Sequence, residues 1–138
     1  MSNNIQSYRE LIVWKESRIL ASKVYSLTKL LPNEEKFGLS SQMQRAAVSI
    51  PSNIAEGEQR FSTKDYIRFL YTSRGSLGEL LTQLEITEDL YPHLKNEIMP
   101  LVAAYNNVAR KLNNLITSLR NRLRIRKQEK KKKNKKTH

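Results

Sequence analysis

Apolar side chains recur in steps of three and four residues along four separate stretches of this chain, and nothing alternates with period two over a useful length. Steps of three and four line one face of an α-helix, whereas alternation would line one face of a strand. Only four glycines and four prolines interrupt the 138 residues. The pattern predicts an all-α chain, an antiparallel up-down-up-down four-helix bundle with short connections.

The first stretch opens at Ser7 with Glu10 three residues on, a capping-box pattern in which each side chain satisfies a free backbone N–H. Val13, Leu20, Val24, Leu27 and Leu31 form its stripe, and Pro32-Asn33 stops it. The apolar cluster Leu11 to Trp14 fits an extended entry equally well, which would start the helix a turn later. The second stretch runs from about Leu39 to Glu56, with Leu39, Met43, Ala46, Ala47, Ile50 and Ile54 on one face and Pro51 inside it. Proline removes a helical hydrogen bond and crowds the preceding turn. The apolar phase nevertheless continues across it, which predicts one kinked helix capped at its C-terminus by Gly57.

Ser62-Thr63-Lys64-Asp65 repeats the capping signature and opens the third stretch, whose seam is Tyr66, Leu70, Ser73, Leu77, Leu80, Leu84, Thr87 and Tyr91. Gly75 and Gly78 lie in its middle, each costing about 1 kcal/mol relative to alanine. The pair suggests a neighbouring helix backbone at unusually close approach. Pro92 ends this helix. The fourth begins between Leu94 and Leu101, with Pro100 tolerable if it falls in the first turn, carries Ile98, Leu101, Tyr105, Val108, Leu112, Leu115 and Leu119, and can run on through Leu123 before the lysines take over.

Charge divides the chain unevenly. Residues 120–138 hold eleven of the 25 basic residues and one of the 13 acids: Arg120, Arg122, Arg124, Arg126, Lys127, Lys130, Lys131, Lys132, Lys133, Lys135 and Lys136 against Glu129. Residues 1–119 keep 14 basic and 12 acidic groups, so the overall +12 is a body near +2 and a tail near +10. The expected organisation is a bundle over 1–119 and a basic, disordered Lys/Arg-rich tail over 120–138. Such a density of cations favours polyanions, with salt-dependent affinity and little sequence preference. The tail therefore supplies the candidate nucleic-acid-binding residues. A solubilising end is the plainer alternative.

Other classes find little support. The absence of cysteine removes disulfide scaffolds, thiol catalysis and Cys-bearing metal sites, and it fits a reducing cytoplasm. No apolar run approaches the roughly 20 residues that span a bilayer. The start, Met-Ser-Asn-Asn-Ile-Gln, lacks signal-peptide features, so a cytoplasmic protein without membrane contact is expected. His93 and His138 have no metal-ligand partner at helical spacing. No phosphate-cradling glycine loop or Gly-x-Ser-x-Gly elbow occurs. Gly75-Ser76-Leu77-Gly78 has the form of an RNA-binding Gly-x-x-Gly loop but falls mid-helix. Glu56, Glu79, Glu85 and Glu88 lack the histidines of a di-iron bundle. No enzyme, cofactor or metal is expected. The second helix does carry a polar stripe, Gln42, Arg45, Ser49, Asn53, Glu56 and Arg60. It is either a solvated face, a hydrogen-bond network reaching Ser73, Ser76 or Glu79, or a subunit contact.

The run Phe37-Gly38-Leu39-Ser40-Ser41-Gln42-Met43-Gln44-Arg45-Ala46-Ala47-Val48-Ser49-Ile50-Pro51-Ser52-Asn53-Ile54-Ala55-Glu56-Gly57 resembles the signature of the bacterial four-helix bundle proteins encoded in 23S rRNA intervening sequences. Leu11 to Lys15, Arg60 to Tyr66 and Gly75 to Leu80 match it too, and the resemblance covers roughly residues 8–119. These proteins are sometimes filed as ribosomal proteins. The resemblance implies a ring-like homopentamer and a role in binding nucleic acid, RNA above all. It also implies kinship with accessory proteins of diversity-generating retroelements, whose partner is a reverse transcriptase. Arg45, Pro51, Asn53, Glu56, Gly57, Arg60 and Gly75 carry the motif. Their expected role is architectural: Pro51 kinks the helix, Gly57 ends it, and Arg45, Asn53 and Glu56 tie bundle or subunits together. The basic tail is not part of the family pattern. A protein-interaction scaffold without nucleic-acid binding is the rival reading.

Overall fold

The computed structural model of the chain describes residues 8–136. Four helices carry the fold: α1 (Ile12–Thr28), α2 (Leu39–Glu58), α3 (Thr63–Leu90) and α4 (Lys95–Lys136). Short 3-10 turns at Tyr8–Glu10, Asn33–Glu35 and Pro92–Leu94 lead into or join them. Each helix packs on its chain neighbours and α1 closes against α4, while the diagonal pairs α1/α3 and α2/α4 stay apart. That is an up-down-up-down bundle, with no strand among the described residues.

The apolar stripes form its core. Val24, Met43, Ala47, Ile50, Ile54, Leu70, Leu80, Leu84, Ile98, Tyr105, Val108 and Leu112 are fully enclosed. Burying one such Leu or Ile side chain contributes about 1.5–3 kcal/mol relative to leaving it in water. Two polar seam positions are accommodated by hydrogen bonds. Ser73 Oγ donates to the Ile50 carbonyl at 2.8 Å, and Thr87 Oγ1 donates to the Gln83 carbonyl at 2.7 Å. Ile67, Leu94 and Ile116 join the core although they lie off the strict seams.

The helix ends follow local chemistry. Leu11, in extended conformation, precedes α1, so the helix starts at the later of the two expected points; the Ser7 cap lies outside the described residues. Ser62 caps α3, its Oγ accepting the Asp65 N–H at 3.0 Å. Helix α2 runs unbroken through Pro51. Around that proline, side chains donate to successive carbonyls: Ser52 Oγ to Val48, Asn53 Nδ2 to Ser49 and Ser73 Oγ to Ile50. Pro100 sits in the second turn of α4 rather than its first.

Two glycine expectations reverse. Gly57 is not a left-handed cap; no glycine among the described residues has positive φ. It is buried inside the last turn of α2, and a Cβ there would stand 2.8 Å from Phe69 Cβ and 3.2 Å from the Tyr66 carbonyl. Gly57 is therefore the place where α2 and α3 come close. Gly75 and Gly78 are the opposite case, exposed positions whose Cβ would meet nothing within 4 Å.

The third difference concerns the basic segment. The charge run predicts disorder after residue 119, but α4 continues as helix to Lys136. The boundary is one of burial: Leu119 is the last buried side chain, Leu123 is partly buried, and every described residue beyond Leu123 is exposed. At 1.5 Å per residue the 42 residues of α4 extend about 63 Å, against about 42 Å for the 28 residues of α3. The basic end of α4 projects past the bundle because no other helix reaches that far.

Candidate nucleic-acid interface

Helical geometry sorts the basic residues into rows. Arg120, Arg124, Lys127, Lys131 and Lys135 follow at spacings of four, three, four and four, and so share one face of α4. Arg122, Arg126, Lys130 and Lys133 form a second row, while Lys132 and Lys136 pair on a third side. The projecting helix is thus cationic around most of its circumference. All eleven side chains belong to exposed residues. His138 lies outside the described residues.

The rows have different neighbours at the bundle end. Arg122 lines a depression with Glu10, Glu58, Tyr66 and Leu119. There Tyr66 is pushed up to about 12, chiefly by burial and next by the Glu58 charge, with Arg122 pulling the other way. This row begins beside carboxylates. The Arg120 row does not. Arg120 Nη1 donates to Tyr71 Oη at 3.2 Å, and Arg124 Nη2 donates to Asn121 Oδ1 at 3.4 Å. Further down α4, Arg110 donates to Asn107, and Arg74 of α3 donates to Asn113 at 3.2 Å. Between Glu97 and Glu129, α4 has no acidic residue. Tyr71, Arg74 and Arg110 escaped the sequence reading, which weighed charge by segment. The acid-free run with its recurring asparagines was the available signal.

The motif residues of α2 are placed differently from expectation. Arg45 is exposed and makes no hydrogen bond or ion pair among the described residues. Asn53 turns back on its own helix, donating to the Ser49 carbonyl and hydroxyl at 2.8 and 2.9 Å. Glu56 of α2 meets Arg60, one residue past the Gln59 cap, at 3.5 Å in a surface pair, an arrangement worth little in water. The tie from α2 to α3 is made instead by Ser49 and Ser76, whose hydroxyls are 2.9 Å apart, by Ser73, and by Gln83 Nε2 donating to Gln42 Oε1 at 3.4 Å. The network reading thus holds for Gln42, Ser49, Ser73 and Ser76, while Arg45 and Glu56 have no such role within the bundle.

No three His, Cys, Asp or Glu side chains come together as a metal-binding group among the described residues. Nor is any helix there long and apolar enough to cross a membrane.

Residues 9–114 match the family described as 23S rRNA-intervening sequence protein. Among solved structures, a protein of unknown function from the S23 ribosomal protein family of Bacteroides thetaiotaomicron VPI-5482 is similar, at 27% identity with a TM-score of 0.70. That likeness covers 76% of this chain and 98% of the other. A search of the curated proteins returns no match. The matched residues run from the entry to α1 through most of the packed part of α4 and stop short of the basic segment. What is shared is the bundle, and by that measure the chain belongs to the 23S rRNA-intervening sequence protein family.

Proposed function

We propose that this chain is a non-enzymatic RNA-binding protein that works as a self-associated assembly, a homopentamer in its simplest form. The observation that carries the reading is the end of α4: eleven exposed basic residues on a helix that leaves the bundle after Leu123. Each neutralised phosphate releases condensed counterion, so affinity would be salt-dependent and largely indifferent to sequence. Membership of a family named for rRNA intervening sequences favours RNA over other polyanions.

Self-association multiplies the effect, because five linked segments raise one another's effective concentration at a shared ligand.

Removing residues 126–138 tests the reading while keeping Leu119 and Leu123 in place. RNA affinity in a gel-shift or anisotropy titration should fall at least tenfold, and the slope of log affinity against log salt should flatten by about 0.7 per lost phosphate contact on a single strand. Undiminished affinity would overturn the tail's role. Light scattering on the intact chain addresses assembly, and a monomer at micromolar concentration would dismiss it.

A further inference from the structure

We infer that the bundle itself carries a second RNA contact, a single-strand-binding spot in the α3/α4 groove built on Tyr71, Arg74 and Arg120. It rests on the proposal that the chain binds RNA, and it adds the class of RNA and the residues that select it.

Tyr71 organises two cations from two helices. The Arg74 guanidinium carbon lies over its ring, 4.6 Å from the centroid, and Arg120 donates to its hydroxyl at 3.2 Å. Arg74 is held from a second side by Asn113 Oδ1 at 3.2 Å. One turn beyond Arg120, Arg124 is oriented by Asn121. Every acceptor in this set is neutral. Among the described residues no carboxylate comes within ion-pair distance of Arg74, Arg120 or Arg124, whereas Arg60, Arg68 and Lys111 are each paired with one. The arginines are thus positioned without being neutralised. Two like charges sharing one side chain repel, and that repulsion is relieved when an anion enters between them. Guanidinium planes already fixed by a ring and an amide also lose less freedom on binding than free ones.

The geometry selects single strands over duplexes. A phosphate can be forked by Arg120 or Arg124, and an unpaired base can lie on the Arg74 plane that Tyr71 supports. Bases in an A-form duplex are already stacked on one another and present no free face to that plane. The projecting end of α4 supplies charge to any RNA. The groove supplies preference for an unpaired segment.

The test uses the full chain and a variant with Arg126, Lys127, Lys130, Lys131, Lys132, Lys133, Lys135 and Lys136 changed to Gln. Each is titrated against a labelled 12-nucleotide RNA as a single strand and as a duplex. In the neutralised chain the single strand should still bind and the duplex should bind far less. Arg74→Gln should weaken single-strand binding by about tenfold, the effect of losing one stacked base. Arg74→Lys should weaken it nearly as much, because lysine keeps the charge but lacks the plane. Tyr71→Phe, which keeps the ring under Arg74 and frees Arg120, should cost about threefold. Thermal melting confirms that each variant folds.

Wild-type affinity in Arg74→Lys, or equal losses on single strand and duplex, would overturn the stacking spot. So would a neutralised chain that binds no single strand beside a full-length Arg74→Gln that binds normally, a result that leaves the α4 extension standing alone. Unchanged RNA affinity on neutralising the eight cations would instead sink the proposal for the extension, with the Arg74 variants still deciding the groove.

Discussion

Tyr105 shows how a seam read from spacing can hold a polar atom. Its ring fills the centre of the bundle at 0% exposure, and its hydroxyl has no hydrogen-bond partner. An unpartnered buried hydroxyl costs roughly 1–3 kcal/mol. Tyr105→Phe should therefore raise the unfolding free energy by about 1 kcal/mol in urea titration, unlike most core substitutions. The glycines make a paired prediction. Gly57→Ala would push a methyl against Phe69 Cβ and the Tyr66 carbonyl, destabilising by about 1–3 kcal/mol. Gly75→Ala meets open space and should stabilise α3 by about 1 kcal/mol. Both are read by melting; a destabilising Gly75→Ala would mean that another chain packs there. Sequence places Gly75 and Gly78 within a helix and Gly57 at a helix end, and it cannot tell the crowded glycine from the open ones. Crowding depends on what the neighbouring helix brings to that depth.

Helix α4 changes character along its length. Up to Leu119 its stability comes from a buried face; beyond Leu123 it has only intrinsic propensity. Lys, Arg, Gln and Glu are good helix formers. Against that stand like charges one turn apart, Lys127/Lys131/Lys135, Arg126/Lys130 and Lys132/Lys136, each pair costing a few tenths of a kcal/mol. Cations at a helix C-terminus do interact favourably with its dipole. The far-ultraviolet helical signal of the full chain should rise as salt is increased or RNA is added, because both relieve the repulsion. A chain ending at Leu123 should show no such rise, and a rise of equal size would refute the explanation. The charge of this segment was plain in the sequence, yet its continuity with α4 was not. Lysine runs suit helix and coil alike, and the preceding seam decides.

Over the whole molecule, alkaline pH is the condition that should loosen the bundle first. Three tyrosines are held above their ordinary value: Tyr66 to about 12, mainly by burial; Tyr91 to about 12, mainly by its hydrogen bond to Glu35 at 2.5 Å; and buried Tyr105, higher still. Below pH 10 these phenols keep their protons folded or unfolded, and their contribution is fully present. Between about 10 and 12 the unfolded chain releases protons that the folded chain retains, so stability falls as pH rises. Melting temperature followed from pH 8.5 to 11.5 should hold and then drop, less steeply in Tyr91→Phe. A flat profile would contradict the assignment. The same phenols are distributed over α3, α4 and the Tyr91 junction, so the loss should be global and not confined to one helix.

The apolar spacing alone determined the four helices, their order and nearly all of the core, because a helical face is a local property that the chain repeats every three to four residues. The charge count alone determined that the basic end stands apart from a nearly neutral body. Tertiary structure decided what depends on residues far apart meeting: Gly57 against Phe69, Ser49 against Ser76, and Arg74 on the ring and Arg120 on the hydroxyl of Tyr71. It also decided how far α4 outruns its partners, since that length is set by where the other three helices turn.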